Sequence, residues 1–484
     1  MGEAVSSWER REDCVKLAPR VPGEGAQGGS FNMTRLLGGV VACAAACALL
    51  VASAGAARAD DDLRQMIRDE IAGYMAAQPA PAASSSSDDG NVFKVYWKNG
   101  LRLDTKDKSV KLKIGGRLHI DANFYSDDDL EDNAGVDLQD GVEIRRVRLY
   151  NSGQIGKHVG YKAQFDFADG NVTFSDIFID LNHLRDCLGC GFPNVRVGHF
   201  FEPFAREARD SSKYYTFMEI AGSSEAFGQG RNTGIMLYDS LMGDRINYGV
   251  GYFLGATPGD AGDEGAGVWE TDGYGISGSV SWAPIWDCDC ECRRLFIGAS
   301  VTHRGELDEV RYRARPGLHV TDTRLVDTGV IADADAFTTF AGHVCWVNGP
   351  WSIQAEYFTS DVDAPGSGDP SFSGYYAFVS YWLTGECRPF KHHEIDRAKI
   401  CCDFLDNDCC CKGGLELAAR YDFVDLTDGA ITGGEQSVIT VGLNWYWNAN
   451  MRIMLNVLFG DVTDGRGAIN ESYTAVGLSF RVDW

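Results

Sequence analysis

The sequence predicts an all-β protein, a transmembrane antiparallel β-barrel of about 16 strands with a short N-terminal periplasmic helical arm. Three observations carry this prediction: segments that alternate apolar and polar side chains, an even number of such segments, and an export signal ahead of them. Successive side chains of a strand point to opposite faces of the sheet. A strand with lipid outside and water inside therefore needs one apolar face and one polar face.

The alternation is clearest at the C-terminal end of the sequence. One face of this segment carries Thr474, Val476, Leu478, Phe480, Val482 and Trp484. The final aromatic side chain suits the interfacial belt of a membrane barrel. A soluble sandwich can also contain one such strand, so the repetition of the pattern decides between the two.

Sixteen segments show the pattern, and we predict a strand in each: 110–125, 141–153, 158–168, 172–182, 194–199, 231–239, 245–254, 272–283, 294–304, 336–347, 351–360, 373–384, 414–424, 436–447, 451–461 and 471–484. An even number of antiparallel strands closes with both ends on one side and leaves no edge in the bilayer. We assign residues 92–484 to this barrel, with fourteen or eighteen strands still open because boundaries shift by about two to four residues. A barrel of this size encloses a water-filled channel.

Residues 33–59 have the features of a secretory signal peptide. An apolar stretch over 36–57 precedes a small-residue cleavage signature that ends at Ala59. A retained membrane helix is the alternative. Met33 is then a candidate for the true start, and residues 1–32 are a candidate mis-annotated extension. Export places the mature chain in an oxidising compartment.

Residues 60–78 predict a short amphipathic helix with Leu63, Ile67 and Ile71 on one face. The segment is too short to be a stable helix alone in water. A tether that pairs with copies of itself and a loosely ordered periplasmic arm both stay open. Residues 79–91 are rich in Pro, Ala and Ser and predict a flexible linker.

Most cysteines lie in connections on one side of the predicted barrel. Counting strands from a periplasmic start puts them in three periplasmic connections: Cys187 and Cys190; Cys288, Cys290 and Cys292; and Cys387, Cys401, Cys402, Cys409, Cys410 and Cys411. We expect disulfides within each connection. Three sulfurs at alternate positions over 288–292 do not match a tetrahedral zinc spacing, so we assign no metal. The long external loops are expected near 126–140, 200–230, 255–271 and 305–335.

Several motifs point to one family. GVEIRRVRL at 141–149 is followed by YKAQFDF at 161–167, VGHFFEPF at 197–204, SSKYYTFME at 211–219 and AFGQGR at 226–231, with further stretches at 310–316, 383–386 and 417–421. Together they cover nearly all of 110–484 and resemble the phosphate-selective porins O and P. The resemblance implies a homotrimeric bacterial outer-membrane channel whose third loop folds inward, with an arginine ladder that guides anions to a lysine-rich constriction.

Three arginines at every second position are candidates for that ladder: Arg311, Arg313 and Arg315. In an extended chain their guanidinium groups point one way, and a row of bidentate donors suits passing oxyanions. Conduction needs such shallow, repeated binding. The alternative is a solvated loop edge balanced by neighbouring acids, namely Glu306, Asp308 and Glu309. Both interpretations stay open.

The resemblance assigns a second arginine group by motif: Arg145, Arg146 and Arg148. Arg145 and Arg146 are adjacent, so both face the lumen only if the strand bulges there. The inward loop would carry Arg206, Arg209 and Lys213 against acids that include Glu202 and Glu219. The lysine cluster of the family cannot be placed by motif, and Lys162 and Lys213 are the candidates.

The whole-chain charge opposes anion capture at long range. The chain has 44 basic and 69 acidic residues, a formal charge of −25. Salt screens exposed charges beyond about 8 to 10 Å, so the pore lining governs selectivity. The same acidic balance disfavours nucleic acid as a partner.

The leading hypothesis is a passive porin for small hydrophilic solutes with a preference for anions such as phosphate or polyphosphate. The alternatives are a structural outer-membrane anchor that uses its cysteine-rich turns and helical arm, and a non-selective general diffusion porin. No motif groups a nucleophile with a base, so we expect neither an enzyme nor a cofactor. The expected partners are outer-membrane lipid, further copies of the chain in a homotrimer, and small inorganic anions.

Overall fold

The computed structural model describes residues 93–126, 128–188, 191–254, 273–287, 291–404 and 411–484. The predicted extension, signal peptide, arm helix and linker, at 1–32, 33–59, 60–78 and 79–91, lie outside these residues. The same holds for Cys190, Cys288, Cys290, Cys409, Cys410 and the side chain of Cys187.

The described residues are almost entirely strand. In chain order the strands are β1 (Phe93–Trp97), β2 (Leu101–Thr105), β3 (Val110–Ser126), β4 (Gly141–Ile155), β5 (Val159–Asp166), β6 (Thr173–Leu181), β7 (Asn194–Phe201), β8 (Arg231–Leu241), β9 (Ile246–Leu254), β10 (Tyr274–Trp286), β11 (Arg293–Gly305), β12 (Arg313–Ala314), β13 (Val326–Asp327), β14 (Ala336–Asn348), β15 (Trp351–Asp363), β16 (Ser371–Trp382), β17 (Phe390–Lys391), β18 (Glu394–Ile395), β19 (Gly414–Asp428), β20 (Ile431–Asn448), β21 (Met451–Thr463) and β22 (Ser472–Asp483).

Sixteen of the described strands, β3–β11, β14–β16 and β19–β22, form one closed antiparallel barrel. The last strand closes the barrel by pairing with the first, with Asp483 opposite Arg117. A Cβ at Gly116 would lie 2.5 Å from the Trp484 ring, so glycine there lets the final residue pack across the seam. Each predicted segment overlaps one barrel strand, and the predicted closed barrel is confirmed.

The burial pattern is inverted relative to a soluble protein. In β3 the polar side chains of Arg117 and His119 are buried in the lumen, whereas Ile120 and Phe124 are 36% and 47% exposed on the outside. β22 alternates in the same way, with Arg481 inside and Phe480 outside. The predicted faces are confirmed, because a lipid-facing wall needs this arrangement.

The remaining elements are short. The helices are α1 (Asp128–Ala134), α2 (Arg185–Leu188) and α3 (Gly222–Phe227), with 3₁₀ turns at Ala168–Gly170 and Glu207–Arg209. None of the helices in the described ranges is long and apolar enough to cross a membrane. The β1–β2 hairpin, which the sequence pattern did not predict, pairs through β2 with the start of β3.

The two ends of the barrel differ in their connections. The end at which β22 finishes carries the connection 383–413 and the short turns, and we call it the turn end. The opposite, loop end carries the connections 127–140, 202–230 and 306–335, at the predicted positions. The predicted loop near 255–271 falls outside the described residues.

The disulfides differ in part from expectation. Cys402 and Cys411 bond within the connection 383–413, as expected. Cys292 bonds to Cys387 in a different connection, so the expected closure within each connection is wrong there. The reason is the path of residues 383–390, which run across the turn end. Phe390 then packs on Phe296 of β11, with ring centroids 4.9 Å apart.

Cys401 was also a predicted disulfide partner, and this is wrong in the structure. It is an exposed free thiol, while its neighbour Cys402 is bonded to Cys411. The strand cysteine Cys345 is a buried free thiol.

Candidate functional site

Residues 202–230 fold into the lumen, as the resemblance implied, and we call them the inner loop. Glu202 fixes its start against the wall through an ion pair with Arg304 of β11. The Glu356 carboxylate of β15 then accepts hydrogen bonds from the main-chain N–H groups of Arg206 and Glu207, the second at 3.2 Å. Buried wall carboxylates thus replace the regular backbone partners that the loop lacks.

The second half of the inner loop is held by the last strands of the barrel. The Met218 N–H donates to Asn456 of β21 at 2.8 Å, and Arg481 of β22 donates to the Met218 carbonyl at 2.6 Å. Asp422 of β19 accepts from the Ser223 hydroxyl at 2.7 Å. The loop therefore lies against the wall from β10 to β22, and the open space lies toward β3–β8.

That space is a cavity of about 510 Å³ with a basic lining. Nine arginines and lysines line it: Arg117, Arg146, Arg148, Lys162, Arg196, Arg209, Lys213, Arg231 and Lys391. Five carboxylates oppose them: Asp176, Asp210, Glu219, Glu394 and Asp396. With lysines charged, the lining has an excess of four positive charges in a chain whose formal charge is −25.

Three lysines converge on one tyrosine in this cavity. The Nζ atoms of Lys113, Lys162 and Lys213 lie 5.0, 5.9 and 5.5 Å from the centre of the Tyr150 ring. The two predicted lysines, Lys162 and Lys213, are thus brought together. We call Lys113, Lys162 and Lys213 the lysine cluster.

The charge state of the cluster depends on its neighbours. Lys162 pairs with Asp176 of β6, which also pairs with Arg231 at 2.8 Å. No carboxylate in the described part of the chain lies within ion-pair distance of Lys213. Burial, and then the positive charge of Arg117, lower the pKa of Lys213 to about 6.

Glu219 forms an ionic contact between the inner loop and two arginines of the wall. Its carboxylate pairs with Arg145 at 2.8 Å and with Arg146 at 3.2 Å. Both arginines face the lumen because β4 bulges: His119 pairs with Arg146 but Asp121 pairs with Glu143. The bulge that two adjacent inward-facing arginines need is present. Burial raises the pKa of Glu219, but the two arginines outweigh it and hold that pKa well below its usual range.

The other arginines of the lumen have separate partners. Arg148 pairs with Asp166 at 2.7 Å and lines the basic cavity. Arg209 also lines this cavity, and its Nε donates to the Ala205 carbonyl at 2.7 Å. Arg206 is buried between Asp210, at 3.5 Å, and the carbonyl of His393.

The structure places Arg311, Arg313 and Arg315 in the loop-end connection 306–335, away from the lining of the basic cavity. Their alternation is as predicted, since Tyr312 and Ala314 between them are fully buried. Arg311 pairs with Asp327, and Arg315 pairs with Glu225 of the inner loop at 2.7 Å. Arg315 lines a smaller cavity of about 10 Å³ toward the loop end. A role of the three in guiding anions stays a prediction.

Sequence reasoning missed part of the site. Arg117, whose Nη1 donates to Ser212 at 2.6 Å, was placed on the lumen face by alternation but was not singled out. Lys113, which approaches the lining residue Tyr150, and the turn-end residue Lys391, which lines the cavity, were not singled out either. For Lys113 the same alternation was available, whereas nothing in the sequence indicates that 383–413 folds inward.

Comparisons with known proteins agree on the family. The family model described as phosphate-selective porin O and P matches residues 112–480. Porin O of Pseudomonas aeruginosa is 26% identical over 429 residues, covering 80% of this chain and 93% of its own. An uncharacterised protein of Caulobacter vibrioides is 28% identical over 395 residues, covering 78% of this chain and 73% of its own.

Solved porin structures are more distant. An anion-selective porin from Comamonas acidovorans has a TM-score of 0.49 and 16% identity, covering 78% of this chain and all of its own. OmpT of Vibrio cholerae has a TM-score of 0.48 and 11% identity, covering 78% of this chain and 98% of its own. The family match spans most of the barrel, and its members are channels of the outer membrane. The chain described here belongs to the phosphate-selective porin O and P family.

Proposed function

We propose that this outer-membrane channel conducts small hydrophilic solutes passively, as a homotrimer, with a preference for anions such as phosphate or polyphosphate. The observation that carries the proposal is the excess of positive charge around the 510 Å³ cavity. A confined lining with one dominant sign raises the local concentration of the opposite ion. The excess of acid in the whole chain acts at longer range, where salt screens it.

The lysine cluster supports a site for multivalent anions within this cavity. The amino groups of Lys113 and Lys162, joined below about pH 6 by the ammonium group of Lys213, can approach an oxyanion from several sides. Lysine donates as a compact, strongly hydrated point charge, which suits weak binding that still lets the ion leave.

The test is single-channel recording in planar bilayers with the full chain. In a KCl gradient we expect a reversal potential that indicates greater permeability to chloride than to potassium. Added phosphate is expected to block the chloride current at lower concentration than sulfate or acetate. A cation-selective reversal potential would refute the proposed preference.

A non-selective diffusion porin is the second candidate, and five carboxylates in the same cavity favour it. Acids and bases on facing walls give a transverse field with little net selectivity. Equal permeability to both ions, with no block by phosphate, would support this candidate instead.

A further inference from the structure

The Glu219 carboxylate occupies a site with four N–H donors. Nε and Nη2 of Arg145 donate to its Oε1 and Oε2 at 2.8 and 3.3 Å. Nη1 and Nη2 of Arg146 donate to the same two oxygens at 3.2 and 3.4 Å. Each carboxylate oxygen therefore accepts one hydrogen bond from each guanidinium. This forked geometry fits two coplanar oxygens at carboxylate spacing.

Glu219 stands where the lumen is divided. Together with Ile220 it lines both the large basic cavity and the small loop-end cavity. Arg145 lines only the small loop-end cavity. The ion pair therefore lies between the two cavities. The arginines are 8% and 4% exposed, so the contact is also shielded from bulk water.

The main chain at Glu219 is held separately from its side chain. Arg420 of β19 donates to the Glu219 carbonyl at 3.0 Å, and Arg481 holds the preceding carbonyl of Met218. The side chain can thus rotate away from the two arginines while the inner loop keeps its position.

We propose that Arg145 and Arg146 form a carboxylate-binding site that Glu219 occupies when no solute is present, and that a small carboxylate solute passes by displacing it. The proposal rests on the proposed function, since it needs anions to enter the lumen. Leaving two buried guanidinium groups without a counter-ion is costly. Exchange of one carboxylate for another avoids that cost, because the four arginine N–H groups donate to a carboxylate both before and after the exchange.

Such a site selects by shape as well as by charge. Chloride has a single centre and cannot accept from both forks in the manner of two carboxylate oxygens. Chloride therefore displaces Glu219 poorly, whereas a carboxylate solute can accept the same four hydrogen bonds as the Glu219 side chain. Glu219 would keep the passage narrow for simple halides and open it for organic acids.

The experiment compares the full-length parent with Glu219→Gln in planar bilayers, using acetate as the probe. Gln keeps the shape of the side chain but removes its charge, which leaves the two arginines open to solute. We expect the half-blocking concentration of acetate on the chloride current to fall about tenfold, the loss of one charge-assisted contact. Chloride conductance of the variant should also rise.

Glu225→Gln is the matched control. Glu225 lies in the same loop and pairs with an arginine, Arg315, but lines only the smaller of the two cavities. We expect its acetate block to equal that of the parent. Adding Arg146→Gln to Glu219→Gln should remove the gain in acetate block.

Two results would overturn the assignment: an unchanged acetate block in Glu219→Gln, or a higher conductance for potassium and chloride alike without acetate block. If Glu219→Gln fails to assemble, Glu219→Asp keeps the charge on a shorter side chain and should give a smaller gain. The parent's reversal potential tests the proposed anion preference separately, so either failure can be recognised by itself.

Discussion

At the scale of single residues, Tyr150 explains how three lysines can share one corner of the lumen. Like charges repel, but the face of an aromatic ring attracts each cation through its quadrupole. The ring therefore offsets part of the repulsion among Lys113, Lys162 and Lys213. Asp176 compensates Lys162 further, while Lys213 is the member that titrates near neutral pH.

Replacing Lys162 by Met is expected to lower the ratio of chloride to potassium permeability about fivefold. A unit charge about 8 Å from a passing ion in water contributes on the order of 0.5 kcal/mol, with opposite sign for the two ions. Reversal potentials measure the ratio. The control is Lys157→Met, because Lys157 is exposed and pairs with Asp186 outside the cavity. An equal drop in both variants would contradict a local effect.

Anion preference is expected to rise as the pH falls through about 6. Lys213 has its pKa lowered to about 6, so it is neutral above that pH and gains a positive charge below it. Reversal potentials at pH 7.5 and pH 5 should differ more in the parent than in Lys213→Arg, which stays charged at both. Other groups that titrate are common to both proteins. The same pH response in the two would refute the assignment to Lys213.

At the scale of elements, the lumen is shaped by connections that enter from both ends. The inner loop enters from the loop end, and 383–413 enters from the turn end, where Lys391 and Glu394 line the cavity. The two meet where Arg206 donates to the His393 carbonyl and where the Ile395 N–H donates to Asp210 at 3.4 Å. The strands give the wall, and these two segments decide what remains open.

The triple replacement of Arg311, Arg313 and Arg315 by Ala tests the ladder prediction. If the three guide anions, the ratio of anion to cation permeability and the block by phosphate should both fall. Pairing of Arg311 with Asp327 and of Arg315 with Glu225 reduces the field that each arginine adds. Lys162 is paired as well but lines the basic cavity, whereas these three arginines do not, so we expect a smaller effect than that of Lys162→Met. Selectivity like that of the parent would mark the segment as a loop edge.

Loss of the disulfide between Cys292 and Cys387 is expected to loosen the segment 383–413. The bond ties this segment to the turn before β11, and in its described residues, 383–404 and 411–413, strand pairing is limited to β17 with β18. Limited proteolysis of Cys387→Ser should cut within 388–400 several times faster than in the parent. Cys401→Ser is the control, because Cys401 has a free thiol. Equal cleavage of both variants would show that the tether does not order the segment.

At the scale of the whole molecule, the net charge of the chain and the net charge of the cavity lining have opposite signs. The chain has a formal charge of −25, while the basic cavity has an excess of positive charge. On the outer faces of the strands exposed side chains such as Phe124 and Phe480 are apolar, as the bilayer requires. Selectivity can therefore oppose the sign of the whole chain.

The exported protein is expected to begin at Asp60 and to run as a heat-modifiable homotrimer in detergent. A closed barrel resists unfolding by detergent because no strand edge is exposed. N-terminal sequencing and gel mobility with and without heating measure both properties. Retention of residues 36–57, or a species that migrates alike in both conditions, would contradict this expectation.

The sequence by itself predicted sixteen barrel strands and their two faces, with fourteen or eighteen strands left open, and it missed the β1–β2 hairpin. Alternation is a local property fixed by the pleat of a strand, so Arg117 and Phe480 could be assigned to lumen and lipid without knowing any neighbour. Positions of the loop-end connections followed from the same count. For the adjacent Arg145 and Arg146 the sequence set only a condition, that both face inward if the strand bulges, and the bulge itself is seen in the structure.

Only the tertiary structure decided which side chains meet. The lysine cluster combines β3, β5 and the inner loop, and the Glu219 contact joins that loop to β4. The disulfide between Cys292 and Cys387 depends on a segment that turns back across the barrel end. These contacts depend on the path of long irregular segments, which is set by distant wall residues such as Glu356 and Asp422. No local period encodes such a path, because its partners lie more than a hundred residues away along the chain.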